Sequence, residues 1–94
     1  MKINICGIEH EILERPESDL SLDTHMGLIN YGEAKIYINE DMANCMKEAT
    51  ICHEILHGML VHIGREDLSE DEQFVTALGN AINATFKLRR MSDE

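Results

Sequence analysis

Residues 53–57 read His-Glu-Ile-Leu-His, two imidazoles four residues apart with a carboxylate directly after the first. On an α-helix a spacing of four advances about 400°, so His53 and His57 point the same way, about 40° apart and one turn along the axis. Two neutral imidazoles so placed can each offer an Nε2 lone pair to one metal ion, as a tetrahedral zinc requires of two of its ligands. Glu54 lies about 100° round from His53; it cannot share the ion with both histidines but can reach a water in an open coordination position. That combination fits hydrolysis, because zinc lowers the pKa of its water from 15.7 to about 7 and polarises a carbonyl, while the carboxylate takes the proton. The bland alternative is a helix whose histidines are hydrogen-bonded core residues. Against it stands the position of HEILH, mid-helix and in phase with an apolar stripe.

The helix that must carry these residues is expected over 41–64, with Asn39 or Asp41 as N-cap and Gly64 as the C-terminal stop. Met42, Cys45, Met46, Ala49, Leu56 and Leu60 fall on one side, and Ile51 and Ile55 point the other way. A helix apolar on two sides is a central one, with a sheet over one face and a helix over the other. Residues 1–40 read as β-rich: MKINIC and IEHEILE alternate around Gly7, and MGLINYGEAKIYINE reads as two strands joined at Tyr31-Gly32-Glu33. A small antiparallel sheet is the expectation, with the polar ERPESDLSLDT, which holds the lone Pro16, as a loop. A second helix is expected over 69–90, its stripe formed by Phe74, Val75, Leu78, Ala81, Ile82 and Phe86, with Lys87, Arg89 and Arg90 at its C-terminal end and MSDE a frayed tail. Strands followed by two helices in one 94-residue domain make an α+β fold.

A zinc site needs a third protein ligand, and SEDEQ at the start of the second helix offers Glu70, Asp71 and Glu72. Periodicity favours Asp71, in line with Val75, Leu78 and Ile82, and places Glu70 and Glu72 towards the two edges of the stripe. Ser69 and Glu72 also have capping-box spacing, which would fold the glutamate back on its own helix. His62, about 180° from His53, reads as a surface histidine, and His10 and His25 as structural ones. Tyr31, Tyr37 and His62 are the polar side chains available to stabilise an oxyanion, and no spacing singles one out.

Eighteen acidic against eight basic side chains argue against nucleic acid or an anionic membrane as partner. Cys6, Cys45 and Cys52 form no C-x-x-C pair, and MKINICGIEH has no apolar run long enough for a signal peptide or a span. The expectation is a reduced, cytoplasmic protein with its cysteines serving as small buried apolar side chains. So short a chain buries a modest core, to which a bound metal would be a useful addition.

With these residues assembled, the chain resembles the gluzincins, the HExxH zinc metallopeptidases whose second helix carries a glutamate ligand. More narrowly it resembles the small metallopeptidases of phages and prophages, related to the ImmA/IrrE-type regulatory peptidases. The resemblance runs from GIEHEI through GLINYGEAKIYIN and ATICHEILHGML to EDEQFVTALGNAI. It implies a reduced zincin fold, with a twisted sheet over the HExxH helix and an edge strand that receives an extended peptide, for which AKIYIN, residues 34–39, is the candidate. In the phage group the second helix reads glutamate, any residue, two apolar residues, then an apolar and small stretch. Glu72-Gln73-Phe74-Val75 followed by Ala77-Leu78-Gly79 fits, which carries the third-ligand role onto Glu72. The ImmA/IrrE pattern itself has an acidic ligand four residues before an asparagine; counting back from Asn80 gives Thr76, so that register is taken not to apply.

The resemblance thus implies one zinc ion held by His53, His57 and Glu72, Glu54 as the base, and a protein or peptide substrate such as a regulator. Two other readings compete: a non-catalytic, zinc-stabilised regulatory or interaction module, and a metal-free helical protein that uses its histidines for packing.

Overall fold

Ile5 pairs with Ile8 across a two-residue turn in which Cys6 and Gly7 both have positive φ (52° and 89°), as a type I′ hairpin requires. The hairpin joins β1 (Lys2–Ile5) to β2 (Ile8–Arg15). After a 3-10 turn at Glu17–Asp19 come β3 (Gly27–Asn30) and β4 (Lys35–Asn39), antiparallel neighbours joined around Tyr31-Gly32-Glu33. Three helices follow: α1 (Asn44–His62), α2 (Glu66–Ser69) and α3 (Glu72–Ser92). This computed structural model describes residues 1–20 and 26–92, with side chains as far as 86, so His25 and the side chains of Lys87, Arg89 and Arg90 lie outside the described residues. The architecture is α+β, and no helix among the described residues is long and apolar enough to cross a membrane.

The sheet is mixed, not antiparallel throughout. Its order is β1-β2-β4-β3, and β2 pairs with β4 in parallel. Ile36 and Ile38, on one face of β4, are both wholly buried, as suits an interior strand with α1 over that face. Residues 34–39, expected at an edge, are therefore interior, and the edge beside α1 is β3. Adjacency in a hairpin says which strands pair, not which one ends a sheet.

Ile5, Ile12, Ile36 and Ile38 form the sheet side of the core, with Ile51 and Ile55 of α1 packed on them. Leu56 and Leu60 point away, into a second cluster with Leu68 and Val75. The expected two-sided burial of α1 is thus what the chain adopts. The outer parts of the expected stripes are not covered. Cys45 and Met46 are exposed, and so are Phe74, Leu78 and Phe86. Among the described side chains of α3 only Val75 and Gly79 are buried, because two helices meet along a narrow line of contact. Cys6 is also exposed and Cys52 half-buried, so the cysteines are not a set of core side chains.

The N-cap of α1 is Ala43, which makes no side-chain cap. Asn39, one expected cap, instead accepts the backbone N–H of the other, Asp41, at 2.9 Å, so both belong to the preceding turn. At the other end Gly64 (φ 82°) does stop the helix: Arg65 N–H bonds to the Leu60 carbonyl and Gly64 N–H to that of Val61. This is a Schellman closure, in which a residue without Cβ takes the left-handed position. The expected second helix is divided into α2 and α3, since Asp71 accepts the Phe74 N–H at 3.1 Å and caps a fresh start.

Edge strand β3 lies unusually close to α1. A Cβ added at Gly27 would stand 2.8 Å from Thr50 Cγ2 and 2.9 Å from the Tyr37 carbonyl oxygen. Gly27→Ala is expected to lower stability by about 1–3 kcal/mol through overpacking, read as a fall in the urea midpoint at constant slope.

Candidate metal centre

His53 and His57 stand one turn apart on α1, and the start of α3 brings Glu72 to them. The Nε2 atoms of the two histidines are 3.1 Å apart; Glu72 Oε2 is 3.3 Å from His53 Nε2 and Oε1 is 3.0 Å from His57 Nε2. All three residues place a ligand atom within 4.8 Å of the others, so the group can hold a metal ion. Four ligands at about 2.0–2.1 Å from a tetrahedral ion stand about 3.3 Å from one another, which these separations match.

The donor set suits a cation. His57 Nδ1 lies 2.8 Å from Ser69 Oγ, a hydrogen bond that leaves Nε2 free to face the cluster. Burial lowers the pKa of His57, outweighing the opposing effect of the Glu72 carboxylate, so its ring is the neutral, ligating form at neutral pH. In the tautomer that keeps the hydrogen on Nδ1, the Nε2 lone pair faces a carboxylate oxygen, and a cation between them would relieve the repulsion.

Of the three competing carboxylates, Glu72 is the one in the cluster. Asp71, which periodicity favours, spends its carboxylate on the N-cap of α3, and Glu70 is exposed outside the group. The Ser69–Glu72 capping box does not form. Ser69 closes α2 and is buried against His57, while Glu72 reaches the histidines. Ser69 is the functional residue that spacing missed, since nothing local links position 69 to position 57. Thr76 lines the same groove one turn after Glu72, so the carboxylate comes from one turn earlier than the ImmA/IrrE register would place it.

Glu54 is 8% exposed, and its pKa is pushed up to about 7, first by burial and then by the charge of Glu72. A carboxyl group that titrates there can accept a proton near neutral pH. It lines a groove of about 1050 Å³ between β3, α1 and α3, together with His53, His57 and Glu72. Tyr31 is the one of the three candidate oxyanion donors on this groove. Burial, with the charges of Glu54 and Glu66, raises the pKa of its phenol against a hydrogen bond from Ser69, which keeps the O–H as a donor. Tyr37 instead donates to Glu33 at 2.9 Å. His62 is not a surface histidine: its ring is half-buried, packed edge-on against Tyr31 and His10. His10 is buried, as expected of a structural residue.

Comparison of the chain with family models, curated proteins and solved structures finds no match.

Two outcomes are expected. Ser69→Ala should lower metal affinity about 10–100-fold with an unchanged circular dichroism spectrum, because the bond that orients His57 is lost. In metal-free protein the raised Glu54 pKa favours folding below its ordinary value of 4.5, and that contribution is lost as pH rises through about 7. Metal-free Glu54→Gln should therefore gain on the unmodified protein by about 3 kcal/mol between pH 4 and pH 8, measured as the difference between their urea-unfolding free energies.

Proposed function

We propose that the protein is a minimal zinc-dependent peptidase of the gluzincin kind, akin to the small phage and prophage enzymes and acting on an extended peptide or a flexible segment of a protein such as a regulator. The observation that carries the reading is the buried Glu54 carboxyl group beside three converging ligand atoms, all on one open groove. His53, His57 and Glu72 would hold one zinc ion, the two-histidine, one-glutamate set that leaves a coordination position open. Bound there, zinc would polarise a carbonyl and lower the pKa of water.

Glu54 takes the proton of the attacking water, for which its pKa near neutrality suits it, and returns it to the leaving amine. Tyr31 faces the groove with an O–H that can donate to a developing oxyanion. Among the described residues edge strand β3 pairs with β4 alone, and its other side would align a substrate strand along α1. The peptide-receiving edge is thus assigned to residues 27–30 instead of 34–39.

A second reading, the metal-stabilised interaction module, is favoured by one observation: the ligands tie α1 to α3, whose shared core contains few residues. Metal content and activity separate the two. The purified protein should carry zinc at this cluster, and His53→Ala or His57→Ala should lower its zinc content by one equivalent. Glu54→Gln should retain the metal and lose cleavage of unstructured peptides by about 10²-fold or more. A variant that cleaves as well as the unmodified protein would sink the mechanism, and unfolding by chelator without any cleavage would favour the module.

A further inference from the structure

Phe74, Leu78 and Phe86 of α3 are 36%, 36% and 48% exposed. With Ala81, also exposed, and the half-buried Ile82 they make one continuous apolar flank, at i, i+4, i+7, i+8 and i+12. α1 packs on a different line of the helix, through Val75 and Gly79, where a Cβ would stand 3.6 Å from His53 Cα. Thr76 and Asn80 line the metal groove, and helix geometry puts them and Glu72 roughly 140° round from the centre of the flank. The flank is therefore spare: neither the core nor the groove uses it.

Its composition is that of a contact surface. Although 28% of the chain is charged, residues 73–86 hold no Asp, Glu, Lys or Arg. A helix with so much exposed surface that only met water would carry charge along it, whereas the centres of protein interfaces are depleted of charge and keep large apolar side chains.

The charges at the two ends say what covers it. Glu70, Asp71 and Glu72 stand at the start of α3, and the sequence places Lys87, Arg89 and Arg90, three of the chain's eight bases, in its last turns. A partner that fits must present an apolar stretch with the opposite order of charge, basic end first. A second α3 laid antiparallel has that order. With a two-fold axis level with residue 80, Phe74 comes opposite Phe86 and Leu78 opposite Ile82. Glu70 then falls at the level of Arg90, and Asp71 at that of Arg89. Each patch is its own complement, as an isologous dimer requires.

We propose that two copies of the chain dimerise through antiparallel pairing of α3 along Phe74, Leu78, Ala81, Ile82 and Phe86. The pairing leaves the groove of each copy open and does not depend on metal or on peptidase activity.

Sedimentation equilibrium of the full chain tests it. At about 100 μM the mass should be twice 10.7 kDa, and Leu78→Glu, which would bury a carboxylate at the centre of the contact, should weaken association about tenfold or more with an unchanged circular dichroism spectrum. If that variant does not fold, Phe86→Glu, at the most exposed of the three positions, takes its place. Arg90→Glu should weaken the dimer about fivefold, and adding Glu70→Arg should restore it. A chain that stays at 10.7 kDa leaves the flank to a different protein and overturns the proposal. So does a dimer that a folded glutamate variant leaves intact. Losses from the two charge changes that add instead of cancelling overturn the antiparallel pairing.

Discussion

Three potential metal ligands, two imidazole nitrogens and a carboxylate, are held 3.0–3.3 Å apart where α1 meets α3. Much of the architecture serves that convergence. The Schellman stop at Gly64 turns the chain, α2 carries it back, and the Asp71 cap starts α3 so that Glu72 falls opposite the histidines. The same segment delivers Ser69 to His57 Nδ1. One short connection therefore supplies both a candidate ligand and the group that hydrogen-bonds another.

Burial gives the neighbouring carboxyl group its character. Glu54 is on the α1 face covered by the sheet side of the groove, and its charge is disfavoured both by lost solvation and by Glu72. A cation in the cluster would reverse the second of these influences, so occupancy and the protonation of Glu54 are coupled. Gly27 contributes from the other wall, since its missing Cβ lets the edge strand approach Thr50, one turn before Glu54.

The chemistry within one helix was legible from letters alone. A 3.6-residue period relates His53, Glu54 and His57 without any tertiary information, and the two-sided apolar pattern of α1 foretold a helix between layers. Both hairpins were legible too, because turn residues and alternation are local. Period favoured Asp71 over Glu72, since it reads which residue lies on the stripe and not which carboxylate is taken up by the cap of its own helix. The rank of β4 and β3 in the sheet, and the roles of Ser69 and His62, were beyond the reach of spacing for a related reason. Each depends on a partner many residues away.

The sequence by itself determined that two imidazoles and a carboxylate share one turn of a central helix in an α+β chain. Covalent spacing and helix geometry suffice for that. Only the tertiary structure decided which carboxylate joins them, which strand is left at the edge, and that His10 meets His62. Those outcomes follow from how layers pack and where the chain reverses, and from competition between a cap and a ligand role for neighbouring acids. Such competition is settled by the whole fold, because the energies that separate the alternatives belong to contacts between elements and not to any one element.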